Sequence, residues 1–351
     1  MSNKRIFYAI RQAGFAPLGS RTYTALKGVQ SAGMSTAFNL QQVFELGNLQ
    51  VYQQIEEIPE VTLTLTKVFD GQESLYHRAT HGATGNSLIE RSNVRTSAAF
   101  SLFSDLQGAA SGTPVSSVEM SGMYWEGLSI SCDVEGNFQE SLNLVGFNRT
   151  WQTGQPFAFS GAFTDTEIAS GIGVQRRQHL IFDYTGGSPV LDVNGAASNT
   201  ASGTILGPDI FGISSSGTNN RDANGDFGAH IQSISVNVGL SRTNVLEMGR
   251  RGVFTRFTNF PVEITTEITA LSTGGDQVSA TEAGILPGGT NLTNRTIKLS
   301  FAQGDIINLG TNNKLTNVTV NGGDAGNNDN ESLSYSYITF NSFTWTSPFQ
   351  S

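Results

Sequence analysis

The sequence predicts a mainly β protein built as two β-rich halves, each with one helix against its sheet. Three observations lead there. Glycine is abundant, with 40 residues in 351, and charged side chains make up only 14%. Ser, Thr and Asn crowd the intervals between apolar runs that alternate at a period of two, as half-buried strands joined by turns do. One stretch is also written twice: VFELG, Val43 to Gly47, returns as VLEMG, Val245 to Gly249.

The repeat extends well beyond those five residues. Laid over one another without a gap, residues 30–66 and 232–268 are identical at Gln30/Gln232, Ser31/Ser233, Val43/Val245, Glu45/Glu247, Gly47/Gly249, Val51/Val253, Pro59/Pro261 and Thr64/Thr266. Random matching at roughly 6% per position would give about two identities over that length. Several mismatches keep their character, among them Phe44/Leu246, Leu46/Met248, Tyr52/Phe254 and Ile58/Phe260. Duplication is the reading this favours; two strand pairs alike by chance is the alternative.

Each element of the repeated unit has a physical reading. Residues 30–38 and 232–240 read as strands, the second with Ile234, Val236 and Val238 on one side. Gly47 and Gly249 end the next segment, where a positive φ costs glycine nothing. Pro59 and Pro261 stand at the entrance of another strand, where a missing N–H does least damage. Beyond Pro59 the apolar set is Val61, Leu63 and Leu65; beyond Pro261 it is Val262, Ile264 and Ile268. That phase slip predicts a bulge or a one-residue insertion near the proline in one copy, since a plain slip would turn the wrong side chains inward.

The rest of each half reads mostly as strands. Segments 128–134 and 138–145 flank Glu135-Gly136-Asn137, a hairpin signal. The second half offers strands at 296–301, 305–309, 315–320 and 333–343, with a polar, glycine-rich loop at 321–332. Apolar spacing of three and four predicts helices at 73–80 and 88–106. Residues 151–202 hold the apolar run HLIFDY and a Gly/Ser/Ala-rich stretch. The expected organisation is therefore a first unit over 1–150, a connecting segment over 151–202, and a second unit over 203–351.

Chemistry is sparse. His77 and His81 lie four apart in HRATH, which lacks the Glu of a zinc-protease motif and reads as a surface pair. DANGD at 222–226 spaces three oxygen ligands as a calcium loop does, but Phe227 and Ser233 occupy its glycine and glutamate positions. GISSSG has the wrong spacing for a nucleophile elbow, and GIGVQR lacks the third glycine of a dinucleotide site. Cys132, the single cysteine, reads as a small buried residue in LSISCDV. The expectation is a protein that is not an enzyme and has no cofactor and no metal.

A net charge of −9 and a pI near 4.9 argue against gripping nucleic acid by its phosphates. An acidic protein meets DNA as a surface that DNA slides past. The N-terminal MSNKRIFYAIRQAGF is broken by Arg11 and Gln12 and does not read as a signal peptide, and no stretch is long enough to cross a bilayer. A soluble chain without membrane anchoring is expected.

Three stretches carry a family resemblance: AGMSTAFNLQQVFELGNLQVYQQIEEIPEVTLTLTKVFDG (32–71), VEGNFQESLNLVGFNRTW (134–151) and IQSISVNVGLSRTNVLEMGRRGVFTRFTNFPVEITTEI (231–268). They resemble the tail tube proteins of tailed bacteriophages, in which a strand run leads to a segment like VFELG, an acidic stretch and a Pro-led strand. The resemblance implies a β-sandwich or barrel unit with a flanking helix, whose inner sheets join between subunits into a continuous barrel around a channel. Family members carry one copy of the unit per chain, six chains to a ring. Two tandem tail-tube-like units would imply trimeric rings with pseudo-sixfold symmetry, stacked into a tube in the virion tail and made in the host cytoplasm. Implied partners are further copies of the chain, a tape-measure protein and DNA in the lumen, and sheath, baseplate and tail terminator proteins. Glu45 and Glu247 would then occupy equivalent positions, and some of the acidic excess would line the channel. Loops 71–87 and 321–332 are expected at ring-to-ring contacts. Rival readings are a distal tail, neck or baseplate ring protein, a carbohydrate-binding β-sandwich, and an unrecognised hydrolase.

Overall fold

The computed structural model describes residues 11–103, 114–153, 158–160, 173–177, 231–271, 297–301, 303–322 and 330–349. In chain order the first part contains β1 (Arg11–Pro17), β2 (Thr22–Ala25), β3 (Val29–Ala37), β4 (Leu40–Phe44), β5 (Val51–Glu56) and β6 (Glu60–Val68). Two short helices follow, α1 (Leu75–Ala79) and α2 (Leu88–Ser92), and then β7 (Thr96–Leu102), β8 (Ser116–Asp133), β9 (Gln139–Gly146), β10 (Thr150–Thr153) and β11 (Ala158–Ser160). The second part contains β12 (Ile231–Gly239), β13 (Arg242–Val245), β14 (Thr255–Thr258), β15 (Glu263–Leu271) and β16 (Lys298–Ser300). It ends with β17 (Ile306–Asn308), β18 (Lys314–Asn321), β19 (Ser332–Phe340) and β20 (Thr344–Thr346). The protein is mainly β, as its composition and alternation predict. HLIFDY and DANGD lie outside the described residues.

Eight strands lie side by side, every neighbour antiparallel, in the order β3-β6-β9-β8-β12-β15-β19-β18. The first four precede residue 150 and the last four follow residue 230. Strand β8 is the hinge of the topology. Its C-terminal part pairs with β9 and β12, and its N-terminal part pairs with β7 and β10. Through β7 it reaches a second set of strands, β1, β2 and β11.

The two groups of four match strand for strand. The β3–β6 ladder shifts register between Val29 and Ser31, and the β12–β15 ladder shifts between Ile231 and Ser233. The β8–β9 ladder shifts between Trp125 and Gly127, and the β18–β19 ladder between Leu315 and Asn317. The hairpins pair alike, with Leu40 opposite Glu56 and Arg242 opposite Thr258. The phase slip takes the form of an insertion. Strand β6 opens at Glu60, directly after Pro59, whereas Val262 stands between Pro261 and the start of β15 at Glu263. Val262 is buried, and its N–H donates to Asn341 Oδ1 at 2.7 Å.

Helix is scarcer than the spacing suggested. Of the span 88–106 only α2 is helical, started by a capping box between Ser87 and Glu90. The AAFSL part is β7, held between β1 and β8 and buried almost throughout. A strand covered on both faces has no alternation to show, so its apolar spacing mimics a helix turn. Both helices belong to the first half; the expected second-half helix is not found among the described residues. Segment 71–87 is no free loop either, because Leu75, Tyr76 and His77 of α1 are buried. Only its stretch 81–86 is a loop at the surface.

One hydrophobic core serves both halves. Leu63, Leu65 and Trp125 share a cluster with Val236, Ile268, Tyr335 and Trp345. Tyr76 stacks on Trp345 with ring centroids 5.9 Å apart and meets Trp125 and Phe343 edge-on. His77 and His81 are not a surface pair: His77 is enclosed between Ser74 and the Trp345 carbonyl, 2.9 Å away, while His81 is exposed. Burial lowers the His77 pKa to about 4. Beneath α1 lies a polar knot. Lys67 faces Glu140 across β6 and β9 and pairs with Asp70 at 2.5 Å. Asp305 accepts from Trp345 Nε1 at 2.9 Å and from Gln303, whose Oε1 in turn accepts from Gly71 N–H at 3.0 Å. The knot therefore ties the second half of the chain to the first.

Candidate assembly surface

Three exposed features stand out on this scaffold: two sheet edges, two hairpins and one polar face. The edges are the outer sides of β3 and β18, each of which pairs on one side only among the described residues. Unpaired N–H and C=O groups along such an edge are a template for another strand. Inside the chain, the corresponding edges are closed on each other. Strand β12 occupies in the second group the place of β3 in the first, and β8 occupies in the first group the place of β18 in the second. These two pair directly, with Ser129 opposite Asn237 and Ile130 opposite Val236.

The hairpins carry the repeated segment. Glu45 and Gly47 lie in the turn between β4 and β5, and Glu247 and Gly249 in the turn between β13 and β14. Gly47 has φ +87 and Gly249 φ +81, the left-handed region that glycine alone enters freely. Both turns close identically, Asn48 N–H donating to Glu45 O and Arg250 N–H to Glu247 O. At the base, Glu57 N–H donates to Asn39 O and Asn259 N–H to Ser241 O. Pro59 and Pro261 follow these bases. The carboxylate of Glu247 lies 3.9 Å from Arg250, a half-exposed pair of little energetic consequence. The six repeat residues thus form two separate groups, one per hairpin. Between the hairpins runs an exposed Arg251–Glu56 contact of 2.8 Å.

The hairpins differ in what covers them. The second docks onto the first half: Arg242 donates to the carbonyls of Trp125 and Ser92, and Tyr124 Oη lies 3.1 Å from Thr255 Oγ1. The first has almost every side chain in solvent, Phe44 and Tyr52 included. At the tips, Leu46 and Met248 stand in equivalent positions and are fully exposed. Both copies thus leave a large apolar side chain in water at the same place.

The polar face is the side of the eight-stranded sheet turned from the core. One row of directly opposed residues runs Ser31, Thr66, Ser141, Ser129, Asn237, Thr265, Ile338 and Lys314, one from each strand. Hydroxyl and amide groups link neighbours, as in Ser35–Thr62 at 2.7 Å and Ser129–Asn237 at 2.6 Å. Asp133, Glu263 and Glu267 add negative charge to this face, and Lys314 at its margin is its one cation among the described residues. An open-edged sheet and an acidic, small-polar surface were expected, but which strands form the edges and which residues share the face escaped the sequence reading. The alternating Thr62, Thr64 and Thr66 were the available signal, but which polar faces join into one surface depends on pairings between distant segments.

No protein-family model matches the sequence, and neither does any curated protein sequence. Among solved structures, a chain of the anti-feeding prophage tube-terminating cap is similar at 13% identity and a TM-score of 0.33, over 44% of this chain and 95% of that one. A chain of the anti-feeding prophage baseplate is similar at 15% identity and a TM-score of 0.33, over 44% and 98%. A chain of an extracellular contractile injection system, its PVC sheath–tube complex in the extended state, is similar at 11% identity and a TM-score of 0.32, over 44% and 95%.

Proposed function

We propose that this chain is a structural subunit of a phage-tail-like particle, joined edge to edge into a ring around a channel and stacked into the tail tube. The observation that carries the reading is the β8–β12 joint. Two four-stranded groups of the same order and the same register shifts meet there through one pair of edges, and the counterpart edges, β3 and β18, stay open. A joint that can be made once inside a chain can be made again between chains, and repetition of a head-to-tail contact closes a ring or winds a filament. Fusion of two duplicated units, over 1–150 and 203–351, makes a ring of three chains equivalent to six units.

In this reading the polar face lines the channel. Its hydroxyls and amides carry no charge to hold a phosphate, and its carboxylates repel one. The tips at Leu46 and Met248 meet the next ring. Sheath, baseplate and terminator proteins would bind the outside and ends of such a tube in the virion tail. The work is mechanical, with no catalytic group and no cofactor assigned.

Negative-stain microscopy of the purified chain tests this directly. Stacked rings or tubes with a central bore are expected. Single rings that never stack would move the chain to a distal tail, neck or baseplate role, and compact monomers without a bore would end the proposal.

A further inference from the structure

Resting on the reading that copies join edge to edge, we propose the register of that joint. Strand β18 of one copy pairs antiparallel with β3 of the next so that Thr319 faces Ser35, Val320 faces Met34 and Val318 faces Thr36. The occupant of each open edge is thus a second copy of this chain, bound by backbone hydrogen bonds at one fixed alignment.

The internal joint is the template. There Ser129 faces Asn237, Ile130 faces Val236 and Leu128 faces Val238. The register shifts fix the correspondence without recourse to sequence likeness. Counting from the first residue after each shift, Ser31 on β3 corresponds to Ser233 on β12, and Gly127 on β8 to Asn317 on β18. Met34 then stands for Val236, Ser35 for Asn237, Thr319 for Ser129 and Val320 for Ile130.

The chemistry of the edges agrees with this alignment. In the internal joint Ile130 and Val236 are buried. Their counterparts point to the same side: Met34 packs partly against the core, and Val320 is 51% exposed for want of a neighbour. On the other side Ser129 donates to Asn237 at 2.6 Å, and the counterparts Thr319 and Ser35 both carry hydroxyls. A slip of one residue would set Val320 against Ser35 and mix the faces. The hairpins follow the same rule. The β13–β14 hairpin covers the internal joint by holding the Trp125 carbonyl through Arg242. The counterparts are Leu40 on the uncovered β4–β5 hairpin and Leu315 on β18, so the joint between copies also brings two apolar side chains together where the internal one has a hydrogen bond.

Cysteine pairs read the register. Ser35 and Thr319 are exposed, and Cys132 is buried and does not compete. Directly opposed strand residues have Cα atoms about 4.5–5.5 Å apart, within disulfide reach, whereas partners offset by two lie about 7–8 Å apart. On oxidation, a chain carrying Ser35→Cys and Thr319→Cys is expected to give a ladder of reductant-sensitive multimers on denaturing gels. Met34→Cys with Val320→Cys tests the neighbouring pair, so that one of the two samples the closely spaced type. Ser35→Cys with Asn321→Cys, and each single variant, should stay monomeric on the gel. Rings in the microscope with both matched pairs unlinked, or with only the offset pair linked, would overturn this register and leave the ring reading standing. Unlinked pairs and no rings, from variants that melt like the parent, would overturn both.

Discussion

Glu140 sits fully enclosed under α1, its Oε1 accepting from Leu75 N–H at 2.7 Å. Burial raises its pKa from the ordinary 4.5 to about 7, against the opposing pull of Lys67 and two backbone donors. Burial raises Asp305 in the same direction. A carboxyl that holds its proton more tightly folded than unfolded stabilises the fold below the unfolded pKa. That stabilisation is lost as pH rises through about 7. His77 acts at the other end: neutral when folded, it costs stability as pH falls from 6.5 towards 4. Thermal melts of Glu140→Gln beside the parent should therefore show the variant gaining relative to the parent from about pH 4.5 to about pH 7 and holding level above that. A constant difference across that range would place the titration elsewhere. Gly47 and Gly249 make a second case at this scale. Nothing lies within 4 Å of a Cβ built on either, so substitution meets no clash and only the backbone resists. A left-handed φ costs an L-residue about 1–2 kcal/mol. Gly249→Val should lower unfolding stability by about that amount and impair assembly by re-aiming the tip. Normal tubes from this variant would count against a role for the turn.

At the scale of elements, what the sequence makes legible is what local chemistry determines. Pro59 and Pro261 mark the strand entrances, Gly47 and Gly249 the turns, and the phase slip after Pro261 announces the extra Val262. Glu135-Gly136-Asn137 marks the turn from β8 to β9. What stays hidden depends on partners distant in sequence. β7 looked helical because both its faces are buried, which leaves no alternation to read along the strand. The helix at α1 was legible from its apolar spacing, but its burial was not, because Trp345, far down the chain, supplies its packing. The hairpins fall between these cases. Phe44/Leu246 and Leu46/Met248 are visibly apolar in both copies, yet only the pairing of β4 with β5 and β13 with β14 reveals that these side chains lie in water. Replacing Leu46 and Met248 together by Asp removes no buried contact, so monomer stability should stay within about 0.5 kcal/mol of the parent. Charged tips brought together between rings repel and cost desolvation, so the expected product is rings that do not stack. Tubes of ordinary length from Leu46→Asp/Met248→Asp would remove the tips from the stacking contact.

At the scale of the whole molecule, the sign and placement of charge decide whether a channel lets DNA pass. The net charge is −9, and the sheet face assigned to the bore carries Asp133, Glu263 and Glu267 among hydroxyls and amides. Phosphates held by Lys or Arg release counterions, so binding of that kind is strong at low salt and fades steeply as salt rises. A face with three carboxylates and a single lysine at its margin gives no such grip on phosphate. Reversing the charges with Asp133→Lys, Glu263→Lys and Glu267→Lys leaves the core-facing side chains of β8 and β15 untouched, because all three residues are exposed. Assembled particles of the triple variant should retain duplex DNA at low salt and lose it on adding salt, while the parent retains none under either condition. If the parent particles hold DNA as firmly as the variant, the acidic face does not keep the bore slippery, and its carboxylates answer to some other contact.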